Sequence, residues 1–473
     1  MIQRIWRSLF VIGTLGLFLY IKLGNLSFRF GDGNAYIYMA KAINDGLIPY
    51  KDFFLADPPV FPYFLSLIRL FVGDHLIIFQ LIPLLLEIAS ALLIYLYLRN
   101  KGLNWAPAAP LIYLFSFTIL STSDFLTGLQ LVNFFIILAI FSYEKKWPGV
   151  SGVFWALAVL TKLYAAPALL GFLIYLYIQH DKIQLKKVII AGFITSFMVM
   201  GPLIIISATK IINFIIIHQF NRSNGLNKID VVFFYFKKEW LFLVLACAGS
   251  YIIRKSYLVY SAGLTILFFL FFKDIYYLYL GSLMPYLVIA MIYLLEKISS
   301  YTMPAKLTNN WLRGLIVIYA IFLISSLNDY AKNFAILGRF TNLQEIAQFV
   351  SKLPNDKKLY GSHEVAPLVA LASNKELLNN YIDTNGQTFV SGANDRDFLS
   401  NALVNQGGYL IGRIMHYPDL GIYDIGTSSY FSTDIFKIHC LRIKDFPSTG
   451  NESDNQIVIY QCDKNINNNN SRL

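Results

Sequence analysis

Asp32 and Asp57 sit in a stretch punctuated by Gly31, Gly33, Gly46, Pro49, Pro58 and Pro59, residues that impose turns around a short helix. A carboxylate fixed in such a place can take a proton from a hydroxyl. The simpler role for Asp32 is to cap the helix that follows, accepting backbone N–H bonds and complementing the helix dipole. Asp57 has no such use, because Pro58 and Pro59 hold the chain extended and deny it a helix there. Lys162, in Leu160-Thr161-Lys162-Leu163-Tyr164, interrupts a long apolar run, where a charge is costly and by default functional. The plainer alternative is a lysine snorkelling to the interface at a hairpin tip. Arg222 and His218, in Ile217-His218-Gln219-Phe220-Asn221-Arg222-Ser223, end another apolar stretch. Arg222 has the planar fork that grips paired phosphate oxygens, and His218 can polarise or orient, although an external arginine is usually only solvated. Asp124, in the turn Ser121-Thr122-Ser123-Asp124, reads equally as a site residue and as the cap of the next helix.

The elements that must hold these groups are membrane spans. Of the 473 residues 56% are hydrophobic and 14% charged, against about 25% charged in soluble domains. About eleven apolar runs are read as spans: Leu9–Leu23, His75–Leu98, Trp105–Leu120, Phe125–Tyr143, Val150–Leu160, Leu163–Ile178, Val188–Ile206, Trp240–Ile253, Leu258–Phe272, Leu278–Leu295 and Leu312–Ser326. Pro58 to Val72 is expected to lie at the interface. The net charge of +11 gathers in short loops, which is the signature of membrane orientation and not of nucleic-acid binding. Arg4/Arg7, Arg99/Lys101, Lys145/Lys146, Lys182/Lys186/Lys187, Arg254/Lys255 and Lys297/Lys306 all fall on one face if the run from Val150 to Ile178 splits at Thr161-Lys162. That face is expected to be cytoplasmic, with the N-terminus, and the opposite side to carry the working loops.

Three segments then lie outside. The membrane part, 1–326, has external loops 24–73 and 207–239; an α/β domain covers 327–464, and 465–473 is an asparagine-rich tail expected to be disordered. Within the first loop a helix of about Asn34 to Asn44 places Tyr36, Ala40 and Ile43 on one face. It is expected to lie on the bilayer surface with Asp32 at its start. In the tail, Asn342–Leu353 and Val365–Ala372 read as helices, and Lys358–Ser362, Gly407–Ile414 and Gln456–Gln461 as strands. Cys440 and Cys462 are either a disulfide, if that domain is outside the cytoplasm, or two separate thiols. No cluster has reliable metal-ligand spacing, so no obligatory metal or other cofactor is expected.

The pattern Asp32, Tyr36, Ala40, Gly46, Pro49-Tyr50, Asp52 and Asp57-Pro58-Pro59 resembles the first external loop of the GT-C superfamily of membrane glycosyltransferases, in particular its aminoarabinose-transferase and protein O-mannosyltransferase-like branch. The resemblance implies a polytopic α-helical fold that moves a sugar from a polyprenyl- or dolichyl-phosphate donor to a hydroxyl of a glycan, lipid or protein, with inversion. It implies Asp32 as catalytic base, Asp124 near the active site, and the Thr161-Lys162 pair at the donor phosphate; Arg222 and His218 are expected from their own chemistry as further donor-side groups. Where the branch often has Lys or His before the paired prolines this chain has Asp57, which suits acceptor or sugar hydroxyls, with Tyr36, better than phosphate. A transporter or flippase of lipid-linked sugars is the rival reading. It predicts repeated halves with interrupted helices, and no internal repeat is evident.

Overall fold

The structure is a computed structural model describing residues 2–273, 275–300, 305–335, 338–417, 422–425, 429–447 and 456–466. The expected disordered tail falls mostly outside them. The membrane half begins with α1 (Ile2–Leu23), α2 (Gly33–Asn44), α3 (Val60–Val72), α4 (Leu76–Asn100), α5 (Ala109–Leu114), α6 (Phe117–Thr122) and α7 (Leu129–Glu144). It continues through α8 (Pro148–Thr161), α9 (Ala166–Ile178), α10 (Lys182–Ile211), α11 (His218–Asn221), α12 (Lys228–Ile252), α13 (Tyr257–Phe271), α14 (Met284–Ser299) and α15 (Ala305–Asp329). Among the described residues five helical stretches are long and apolar enough to cross a bilayer: Ile5–Leu23, Leu76–Asn100, Lys182–Asn221, Tyr277–Ser299 and Arg313–Asn333. Five shorter apolar helices stand beside them. Short helices are tolerated at membrane depth only where protein covers their ends.

The expected split at Thr161-Lys162 is present: α8 stops at Thr161 and Lys162 is extended, with φ −150° and ψ 131°. The run Trp105–Leu120, read as one span, is broken. Proline stands near the start of α5, and Ser116 is extended and caps α6 by accepting from the Ile119 N–H. A second capping bond comes from another helix, since Glu239 Oε1 accepts the Thr118 N–H at 2.7 Å. A buried carboxylate thus satisfies backbone donors that a broken helix leaves open. The loop expected at 207–239 is mostly helical: α10 kinks at Ser207, a π-helix covers Ile212–Ile217, and α12 begins at Lys228.

Packing inside the membrane half follows from small residues at crossings. A Cβ added at Gly249 would lie 2.0 Å from the Ala290 carbonyl oxygen, so α12 and α14 meet backbone to backbone. Outward faces are apolar: Phe193, Phe197, Met198 and Ile205 on α10 are all strongly exposed, as lipid contact requires. Arg7 reaches Asn104 at 3.3 Å and Lys101 reaches Glu144 at 2.5 Å, so the ends of α1, α4 and α7 that carry basic residues meet on one side.

The tail contains α16 (Leu343–Ser351), α17 (Ala366–Ser373), α18 (Gly386–Val390), α19 (Arg396–Gln406) and α20 (Thr433–His439). Its strands are β1 (Leu359–Gly361), β2 (Gly408–Tyr417), β3 (Ile422–Ile425), β4 (Cys440–Phe446) and β5 (Gln456–Cys462). They form one mixed sheet in the order β1-β2-β5-β4, with β3 also on β2 and β1 parallel to β2. Cys440 and Cys462 face each other across β4 and β5 and are joined as a disulfide. The sequence pattern missed β3, β4, α18, α19 and α20.

Helix α2 is not a surface helix. Asn34 to Ala40 and Ala42 are buried, in one hydrophobic core that includes Tyr36 and Phe61 from the membrane half and Ile346, Leu368 and Ile411 from the tail. Within Pro58 to Val72, Val60–Val72 forms α3, whose Phe61 and Leu65 enter the same core. The loop between α1 and α4 is therefore roofed by the tail.

Candidate active site

Gly33 sets α2 against the turn after α6, since an added Cβ would lie 3.0 Å from Leu126. Asp32 stands at the capping position but makes no capping bond. Its Oδ1 lies 3.1 Å from His363 Nε2 instead, and its side chain is 57% exposed. His363 comes from the tail, in the connection between β1 and α17. Burial alone would lower the imidazole, but pairing with Asp32, reinforced by Glu364 and Asp383, holds it up at about 9. The protein groups ringing Asp32 would raise its carboxyl; His363, with Lys162 and Arg222 beyond it, more than offsets that and keeps it below the usual range. Asp32 is thus a carboxylate, open to water, in a positive field.

One turn further along α2, the buried Tyr36 Oη donates to Asp57 and accepts from Lys162 Nζ at 2.8 Å. Lys162 also pairs directly with Asp57. Burial, then the charges of Asp57 and Asp32, raise the Tyr36 phenol well above its ordinary value, so it stays a donor. The loop before Asp57 is built to place it. Asp52 accepts the Ile48 N–H at 2.8 Å, and the fully buried Tyr50, at φ 67°, donates to the Asp57 carbonyl at 2.7 Å. Gly128 precedes α7 as its capping residue at φ +84°, and a Cβ there would sit 3.1 Å from the Phe61 ring and 3.5 Å from Lys162 Cε. That backbone carries glycine for two reasons at once, conformation and room.

The segment after α10 closes another side. Gln219 donates to the Ala56 carbonyl at 3.2 Å, and Arg222 to Gln219 Oε1 at 3.1 Å. His218 Nδ1 lies 2.6 Å from Ser391 Oγ of the tail, and its ring packs on Phe54. The π-helix preceding it is a form that recurs at functional sites.

Asp383, from the tail, is held by the Asn385 N–H at 3.0 Å. Burial raises its carboxyl, and the nearby Asp32 and Asp57 charges add to that against the pull of His363. Three carboxylates and the His363 imidazole therefore act on one another.

Asp32, Tyr36, Asp57, Lys162 and Arg222 are brought together, with His218 on the flank. Asp124 has other partners. Its Oδ1 meets Lys22 at 3.0 Å, and its Oδ2 meets Arg29 at 3.1 Å and the Tyr330 hydroxyl at 2.7 Å. It does not cap α7, whose capping residue is Gly128. His363 and Asp383 were not legible as site residues: the sequence places His363 between a predicted strand and helix, a position where functional groups gather, but nothing links it to Asp32. Among the described residues no group of three or more His, Cys, Asp or Glu side chains converges as metal ligands.

Residues 56–206 match the family model described as dolichyl-phosphate-mannose-protein mannosyltransferase. The crystal structure of ArnT from Cupriavidus metallidurans bound to undecaprenyl phosphate aligns with a TM-score of 0.60 at 14% identity, covering 96% of this chain and 98% of that one. The apo structure of the same protein aligns with a TM-score of 0.56 at 14% identity, covering 95% and 98%. No curated protein sequence matches the chain. The fold is shared with these ArnT structures, a polytopic helical bundle with a small sheet-bearing domain at its C-terminal end.

Proposed function

From that fold and the family-model match over residues 56–206 we propose that this chain is an inverting glycosyltransferase of the GT-C superfamily, moving a sugar from a polyprenyl-phosphate donor to an acceptor hydroxyl. The observation that carries the proposal is Asp32, an ionised carboxylate left open to water, facing His363 at 3.1 Å and in the field of Lys162 and Arg222. In a single displacement the acceptor hydroxyl gives its proton to Asp32 as its oxygen attacks the anomeric carbon. The bond from that carbon to the donor phosphate breaks on the opposite face, and Lys162 with Arg222 stabilises the departing lipid phosphate. Asp57 and Tyr36 fix the Lys162 ammonium by a direct pair and a shared hydrogen bond, and they present oxygens to sugar or acceptor hydroxyls. His363 keeps Asp32 ionised and oriented. The structure of ArnT with undecaprenyl phosphate supports a lipid-phosphate donor for a chain of this fold. No metal is assigned a step.

The active side is proposed to be extracytoplasmic, with the N-terminus in the cytoplasm. Basic residues gather at the end of the bundle away from Asp32, as the positive-inside rule expects, and the Cys440–Cys462 disulfide suits an oxidising compartment.

The test is transfer of labelled sugar from polyprenyl-phosphate donors in membranes containing the full chain. Release of free polyprenyl phosphate together with a labelled acceptor is expected. Label that crosses the bilayer while still attached to its lipid, with no transfer, would identify a flippase instead.

A further inference from the structure

At the end of the bundle opposite to Asp32, a cavity of about 850 Å³ opens between the ends of α4, α7, α9, α12 and α14 and the start of α13. Four cations line it, Lys101, Arg254, Lys255 and Lys297, against one carboxylate, Glu144. Glu144 is spent internally: its Oε2 takes Lys101 at 2.5 Å and its Oε1 takes the Tyr257 hydroxyl at 2.8 Å. The remaining excess is positive. The Arg254 guanidinium lies 4.6 Å from the centre of the Tyr251 ring, which holds its planar fork at the rim. The wall also contains Ser256 and Tyr257, where the fifteen-residue α13 begins, so the positive end of that helix adds to the field.

The other wall is apolar, formed by Ala248, Ile252, Leu294 and Ile298, and it continues into the exposed Tyr251 and Ile252 at the outer surface of α12. A volume of this size accommodates a molecule, not a single ion. Cations on one side, apolar surface on the other and tyrosines between them match a membrane lipid at the headgroup level. The site is remote from the transfer chemistry. Helix α4 is 25 residues long, about 37 Å at 1.5 Å per residue; Phe79 near its start shares a core with Tyr36, and Tyr97 and Lys101 at its end line the cavity.

We propose that this cavity binds the phosphate-bearing headgroup of a net-anionic membrane lipid, at a site separate from the one where sugar is transferred. The shared chemistry is phosphate, which a free phosphate ion would also offer; the apolar wall favours the lipid.

The test uses the full chain in neutral detergent, reading lipid adducts by native mass spectrometry and the unfolding midpoint with added phosphatidylglycerol, phosphatidylcholine or inorganic phosphate. Phosphatidylglycerol is expected to bind and raise the midpoint, and the other two to do neither. Replacing Arg254, Lys255 and Lys297 together by Gln is expected to weaken phosphatidylglycerol binding by about tenfold or more. Equal binding of phosphatidylcholine, unchanged affinity in the triple variant, or competition by inorganic phosphate at matched concentration would overturn the proposal. If the triple variant does not fold, Lys255→Gln, at an exposed turn position, serves in its place. It should lower affinity and flatten the salt dependence, and an unchanged salt dependence would overturn the proposal equally.

Discussion

Two clusters of the same ingredients sit where the membrane half meets the tail. In one, Asp124 is bound by Lys22, Arg29 and Tyr330; in the other, Asp57 is bound by Lys162 and Tyr36, next to Asp32 with His363. The difference is access. Lys22 and Arg29 have side-chain exposures of 0% and 3% and Asp124 of 10%, whereas Asp32 has 57%. The first cluster ties the end of α1 to the loop that follows it and to the chain entering the tail, with each oxygen of its carboxylate occupied. The second leaves an ionised oxygen for a ligand. Residue type alone does not separate a clamp from a site; the coordination left unfilled does.

Asp32→Asn separates the two clusters most strongly. It is expected to lower the transfer rate by about 10²- to 10⁴-fold, as loss of a general base does, while leaving the unfolding midpoint nearly unchanged. Full transfer activity in that variant would remove Asp32 from the mechanism. Asp124→Ala should do the reverse. It strands the buried Lys22 and Arg29 charges, costing about 3–5 kcal/mol of stability, visible as a lower midpoint and yield, with normal turnover in the molecules that remain folded. A stable but inactive Asp124→Ala protein would make Asp124 a site residue after all.

Lys162 and Asp57 lie between these extremes, because they form a clamp that the proposal also uses. Lys162→Gln and Asp57→Asn are each expected to lower kcat/KM by roughly tenfold, chiefly through KM for the lipid donor. The double variant should lose less than the product of the two, since paired groups are not additive. Strict additivity would separate their roles.

The smallest effect is expected at the joint between membrane half and tail. His363 titrates at about 9 when docked and near 6.5 when free, so its contribution to stability is complete below pH 6.5 and disappears as pH rises through about 9. The carboxyl of Asp32 is lowered, so its contribution is complete above about 3.8, its ordinary value, and is lost only as pH falls through the docked value. The midpoint of His363→Gln should therefore fall below wild type between these limits, by an amount within about 1 kcal/mol because the Asp32 partner is open to solvent, and meet it above pH 9. A constant difference across that range would mean that His363 acts by packing alone.

How much of this was legible before folding depended on whether a feature was local. The break at Lys162, the helix from Gly33 to Asn44 and the strands at Leu359–Gly361, Gly408–Tyr417 and Gln456–Cys462 follow from period, turn residues and the cost of a charge in an apolar run, all carried by neighbouring residues. Asp32, Tyr36, Asp57 and Lys162 were legible as candidates because their surroundings are atypical for their types. The capping role offered for Asp32 failed, although helix-start position favours it, because a partner 331 residues away took the carboxylate. The surface location expected for α2 failed for the same reason: a helix that would float on a bilayer by itself is buried once Leu368 and Ile411 cover it.

The sequence alone marked this chain as a membrane protein, placed its basic clusters on one expected face, and singled out Asp32, Asp57 and Lys162 one by one as candidates. Those properties rest on composition and short-range spacing, which hydrophobic transfer and backbone geometry act on directly. Only the tertiary structure decided which carboxylate is open and which is locked, and that the tail completes the site with His363 and Asp383. Those outcomes depend on which distant groups fill a carboxylate's remaining hydrogen-bond positions, and that is fixed by how the two halves pack.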